Sequence, residues 1–180
     1  MIKKNLFIVR FYLLYLSVKV TKNFIYTMNS LPKLNFPRIN LRAMEDNGRT
    51  LVFDRVRSSY VVLTPEEWVR RHLVEFLITH CNAPLRSIVE EYPIPLNTMS
   101  QRADVVVLDS NAQPLLLAEC KSADVDLGSK SICDEVFRQA TRYNAVLGAR
   151  YVVLTNGIRH LCFEHSGSGY IPMSSFPKLG

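Results

Sequence analysis

RADVVVLDSNAQPLLLAECK, residues 102–121, decides how this chain folds. Two nearly unbroken apolar runs, Ala103–Leu108 and Leu115–Cys120, flank the turn signal Asp109-Ser110-Asn111. Adjacent strands of this composition imply a sheet covered on both faces. A charge buried in such a strand without a partner costs several kcal/mol, so the polar residues at the run ends carry the information. Asp104 opens the first strand, and Glu119 and Lys121 close the second. Alternation puts Glu119 and Lys121 on one side and Cys120 on the other. Antiparallel pairing through the short connection then brings Asp104, Glu119 and Lys121 together at one sheet edge, where the first strand starts and the second ends.

Outward from this pair, residues 31–47 hold Pro32 and Pro37 and read as an irregular lead-in. The runs 51–54 and 60–63 around Arg57-Ser58-Ser59 predict a hairpin. Thr64 as N-cap, Pro65 at the first helical position and Glu67 three residues after the cap predict a helix to about His80. Its buried stripe is Trp68, Val69, His72, Leu73, Phe76 and Leu77. A strand is expected over 88–92, ending at Pro93 and Pro95, and a second helix over 130–147. A strand over 151–155, a type I′ turn at Asn156-Gly157 and a partner strand over 159–163 complete the pattern.

The 180 residues are 48% hydrophobic with 7 Gly and 9 Pro, which fits one globular domain and excludes disorder, collagen and a disulfide-stapled miniprotein. Four cysteines without a C-x-x-C pair argue against a zinc site and for free thiols in a reducing compartment, hence the cytoplasm. The formal charge of +6 is unevenly spread. Residues 1–27 hold Lys3, Lys4, Arg10, Lys19, Lys22 and no acid, which leaves 17 basic and 16 acidic side chains, a net of +1, for residues 28–180. The overall charge therefore says little about partners. Segment 1–27 is too interrupted by charge for a transmembrane helix and lacks a small-residue cleavage site. It is expected to be an extension outside the fold or to lie upstream of a start at Met28, with 28–180 as a single domain. A basic amphipathic helix on a membrane surface is the rival.

Two carboxylates and an ammonium in one cluster can hold Mg²⁺, polarise a phosphodiester and stabilise developing charge. A salt-bridged strand end without catalysis would use the same residues, and spacing alone does not choose between the two.

The pattern Asp104, then Glu119-Cys120-Lys121, resembles the D…(D/E)-x-K signature of the PD-(D/E)-x-K nuclease superfamily. More closely, TPEEWVR (64–70), RADVVV (102–107), LLLAECK (115–121), QATRY (139–143) and VLTNG (153–157), in this order, resemble the N-terminal nuclease domain of type I restriction enzyme R subunits. The resemblance spans about residues 31–172. It implies a restriction-endonuclease-like α/β fold of three layers, a central mixed sheet flanked by helices. It implies a Mg²⁺-dependent DNA endonuclease, with Mn²⁺ as substitute, in which Asp104 and Glu119 bind metal and Lys121 is catalytic. Glu67 corresponds to the helix acid facing the metal, although it is equally placed for a capping box with Thr64. Gln139 and Tyr143, four apart on one helix face, match a Q-x-x-x-Y element beside such sites.

His72 and His160 read as core or edge histidines. Arg70, Arg71, Arg102, Arg138 and Arg142 flank the site in sequence and are candidates for phosphate contacts. The 180 residues contain no G-x-x-x-x-G-K-[ST] loop, so no ATP is expected and the chain reads as a stand-alone nuclease-like domain. The alternative is a nuclease-like module that binds nucleic acid or protein without cutting. A nuclease of near-neutral charge would gain its basic groove from a homodimer or a separate protein partner.

Overall fold

A computed structural model describes residues 30–96, 99–167 and 169–180. The extension 1–27 lies outside the described residues. Three short strands, β1 (Ala43–Asp46), β2 (Arg49–Asp54) and β3 (Ser59–Val62), form an antiparallel meander. Helix α1 (Pro65–His80) follows, and a 3₁₀ turn leads into β4 (Ile88–Leu96), β5 (Met99–Leu108) and β6 (Pro114–Cys120). Helix α2 (Lys130–Leu147) crosses to β7 (Tyr151–Thr155), then β8 (His160–His165) and β9 (Tyr170–Met173). The last six strands make one sheet in sequence order, antiparallel except for β6 and β7, the parallel pair that α2 joins.

Each face of this mixed sheet carries its own core. Val69, Leu73 and Leu77 of α1 pack on Val105, Val107, Leu116 and Ala118. Val136, Ala140 and Tyr143 of α2 pack on Val106, Leu117, Val152 and Leu154. The fold is therefore the three-layer arrangement expected, and β6 is buried without a break from Leu116 to Cys120 because both of its faces are covered. Among the described residues no helix is long and apolar enough to cross a membrane.

Both helices begin and end where the sequence signals them. Thr64 Oγ accepts the N–H of Glu67 at 3.0 Å, and Gly148, at φ 67°, ends α2 in the left-handed region. The capping box is only half formed: the Thr64 N–H goes to the Val62 carbonyl, and the Glu67 carboxylate turns to arginines.

Four local expectations are corrected. The lead-in contains β1, joined to β2 by Asn47-Gly48, both at positive φ, which is the two-residue turn that splays least from strand twist. Asn156-Gly157 is not such a turn. Thr155 pairs with His160 across four residues, only Gly157 has positive φ, and Asn156 Oδ1 accepts the N–H groups of Ile158 (2.9 Å) and Arg159 (2.7 Å). β4 runs through Pro93 and Pro95 to Leu96, which an edge strand tolerates because its outer N–H groups have no partner strand. Finally, β9 adds a strand beyond the expected last one; β5 and β6, flanked by β4 and β7, are inner strands, so their charged ends lie within the sheet rather than along an edge strand.

Candidate active site

Val105 pairs with Ala118, Val106 with Leu117 and Val107 with Leu116. One further step of this register brings Asp104 beside Glu119, as the hairpin predicts. The strand is irregular here. Ala103 and Val106 both pack on the α2 face, Val105 and Val107 on the α1 face, and Glu91 on the neighbouring strand has a φ of 51°. Asp104 lies at this slip in alternation, although the register of β4 against β5 continues across it from Val105 to Ala103. Its Oδ2 accepts the N–H of Cys120 at 2.7 Å, and its Oδ1 accepts from Arg70 Nη2 at 2.8 Å.

Glu119 is only 1% exposed and lies on the opposite side of β6 from Cys120, which packs in the α1-side core. Its Oε2 accepts from Gln139 Nε2 at 3.0 Å, whereas its Oε1 is buried with no hydrogen-bond partner among the described residues. Gln139 Nε2 also reaches Tyr143 Oη at 3.3 Å, and that hydroxyl donates to Gln101 Oε1 at 2.8 Å. Two glutamines and a tyrosine thus hold one oxygen of Glu119 and, among the described residues, leave the other without a hydrogen bond. Lys121 is half-buried, and its N–H bonds the Thr155 carbonyl of β7 at 2.8 Å.

Burial, reinforced by the Asp104 charge, pushes the Glu119 carboxyl up to about 9 against the pull of Lys121. Glu66 on α1 is raised by burial and then by Asp104, while Arg70 and Lys121 draw it down. Glu66, Asp104, Glu119 and Lys121 therefore act on one another as a single electrostatic group. Of the acids on α1, the sequence singles out Glu67, yet it is Glu66 that couples to Asp104 and Glu119.

Glu67 belongs to a second cluster. Carboxylate oxygens of Asp54, Glu67 and Glu90 lie within 4.8 Å of one another, all buried. Arg71 fills the space between them: Nη1 is 2.7 Å from Asp54 Oδ1, Nε is 2.7 Å from Glu67 Oε1, and Nη2 meets Glu90 Oε1. Arg57 Nε takes the remaining oxygens of Asp54 and Glu90, both at 3.1 Å. Glu67 Oε2 shares Arg70 with Asp104, which is its link to the first cluster. Two guanidinium groups thus pair with all three carboxylates.

Arg70 and Arg71 are thereby buried in ion pairs, whereas Arg102, Arg138 and Arg142 stay exposed beside Gln101, Gln139 and Tyr143. His72 is a core residue, its Nδ1 2.9 Å from the Trp68 carbonyl and its pKa lowered by burial. His160 lies between Phe36 and Phe176 with Nδ1 2.8 Å from Thr155 Oγ. All four cysteines are free thiols. Glu66 and Gln101 are the residues of this cluster that the sequence reading missed, and Arg70, expected as a phosphate contact, is instead an ion-pair partner of Asp104; the i, i+4 spacing of Glu66 and Arg70 is the one sign of Glu66 in the sequence.

No curated protein matches the chain. It is similar to a solved fragment assigned to an HsdR subunit of a type I restriction enzyme from Vibrio vulnificus, with 20% sequence identity and a TM-score of 0.48. The match covers 65% of this chain and 24% of that one, so the chain spans about a quarter of its solved relative. Residues 65–177, from the first turn of α1 to beyond β9, match the family model for the N terminus of the type I restriction enzyme R protein. That segment includes every residue of the cluster around Asp104 and Glu119, and the chain belongs to the family of type I restriction enzyme R protein N-terminal regions.

Proposed function

We propose that the chain is a Mg²⁺-dependent nuclease domain that hydrolyses DNA phosphodiester bonds, with Mn²⁺ able to replace Mg²⁺. One observation supports this reading: Glu119 Oε1 is buried without a hydrogen-bond partner among the described residues, beside Asp104 and within the field of Lys121. An unpaired buried carboxylate oxygen is costly, and an oxygen-seeking divalent cation is the partner that removes the cost. The donor set fits that group: Asp104 and Glu119 would hold it, with Glu66 as the adjoining acid. Once bound, such an ion polarises a phosphodiester and makes water more acidic.

The chain's own residues supply the positioning. Gln139 fixes Oε2 of Glu119 so that Oε1 is the oxygen presented, and the Cys120 N–H fixes Oδ2 of Asp104. Lys121 contributes positive charge where negative charge develops on the phosphoryl oxygens. The exposed Arg102, Arg138 and Arg142 are placed to meet the DNA backbone. Residues 28–180 carry a net charge of only +1, too little for a long basic groove, so a second copy or a protein partner completes the DNA-binding surface. The same near-neutral charge favours the second reading, a module that binds without cutting.

Circular and linear DNA incubated with the full chain and Mg²⁺ or Mn²⁺ should be cut. Folded Lys121→Ala and Asp104→Ala should each lose activity by about a thousandfold. A folded wild type that cuts nothing with either metal, yet binds DNA, would replace this reading with the binding-only one.

A further inference from the structure

We propose that Arg70 is a resident counter-ion which a divalent cation must displace from Asp104; the inference rests on the metal reading above. The Arg70 side chain is 7% exposed and surrounded by acids. Its Nη2 lies 2.8 Å from Asp104 Oδ1 and 3.1 Å from Glu66 Oε1, and its Nη1 lies 3.0 Å from Glu67 Oε2 and 2.7 Å from Glu91 Oε1. One end of the guanidinium therefore sits between the two carboxylates that are coupled to Glu119 and Lys121. A guanidinium and a metal ion seek the same oxygens. The Cys120 N–H already holds Asp104 Oδ2, so Oδ1 is the oxygen in contest.

The two ends of Arg70 divide the work. Nη1 keeps Glu67 and Glu91, so Nη2 can leave Asp104 without stranding a buried charge. Before metal arrives, Nη2 cancels the repulsion between Asp104 and Glu66 and keeps the site assembled. The consequence is a lowered metal affinity in the DNA-free protein. An arginine that merely aimed Asp104 would have the opposite effect, because removing it would weaken metal binding.

Calorimetric titration of the full chain with Mg²⁺ and with Mn²⁺, without DNA, separates these cases. Arg70→Gln should bind metal about tenfold more tightly than wild type, the factor expected for losing one competing charged hydrogen bond. Glu119→Gln should lose binding. Equal or weaker binding by Arg70→Gln, with wild-type binding intact, overturns the role of Arg70 and leaves the metal reading standing. No binding by wild type or Arg70→Gln overturns both. Because Arg70→Gln removes a buried charge, the wild-type protein gives a second readout by ¹⁵N NMR of arginine side chains. Restricted Nη resonances of Arg70 should shift and lose protection from hydrogen exchange when Mg²⁺ saturates the site. Unchanged Arg70 resonances at saturation would overturn the inference even if the variant failed to fold.

Discussion

Asp54, Glu67 and Glu90 bring three carboxylates together more tightly than Asp104, Glu119 and Glu66 do, and by proximity alone they would be the metal centre. Their surroundings reverse that ranking. In the first cluster Arg71 touches all three acids and Arg57 takes the second oxygens of two, so every carboxylate has a cation. In the second, a buried oxygen of Glu119 has no hydrogen-bond partner among the described residues, and the nearby Lys121 acts through its field. A cluster of acids marks a structural tie when arginines fill it and a binding site when one ligand atom is left over.

The contrast can be broken most severely at Arg71. Arg71→Leu leaves Asp54 and Glu90 buried and underpaired, and urea unfolding should report a loss of about 3–5 kcal/mol. A loss below about 1 kcal/mol would mean that the closed cluster is not the structural tie described.

The closed cluster also has a signature in pH. Three acids face two arginines, and burial together with Asp54 pushes Glu90 up to about 8. Between 4.5 and 8 the unfolded chain has released a proton that folded Glu90 keeps, so stability falls as pH rises through this window. Glu90→Gln should flatten that slope, leaving stability unchanged near pH 4.5 and raising it on the order of 2 kcal/mol at pH 8. Parallel curves for the two proteins would remove Glu90 as the titrating group.

The smallest effect distinguishes the clusters most directly. Mg²⁺ at about ten times its Kd should stabilise the wild type by about 1.4 kcal/mol, read as a rise in Tm. Glu67→Gln, altered in the closed cluster, should keep that rise, whereas Glu119→Gln should lose it. Loss in Glu67→Gln alone would exchange the roles assigned to the two clusters.

The parts legible in the sequence are those governed by local rules. Two apolar runs around a short turn placed Asp104 beside Glu119, cap, Pro and spacing gave α1 its bounds, and α2 covers the expected 130–147. The choice between Glu66 and Glu67 was not legible, because adjacent helical residues point about 100° apart and the roll of α1 is set by packing. The burial of Arg70 and Arg71 was hidden for the same reason: their partners come from β2, β4 and β5. Pro93 and Pro95 hid the length of β4, since only the strand order shows that it lies at an edge. β1 and β9 are four residues each, too short for alternation to stand out.

Arg70 and Arg71 are neighbours in the chain, yet one grips Asp104 and the other Asp54 and Glu90. Helix α1 is therefore held at one level along two directions about 100° apart, and the Arg70 grip on Glu91 persists if Asp104 is released. It cannot roll about its own axis without tearing one set of ion pairs, so torsional stiffness is built into the element that carries acids of both clusters. Rearrangement around the two clusters must then spare α1 and be taken up by the strands and loops around it.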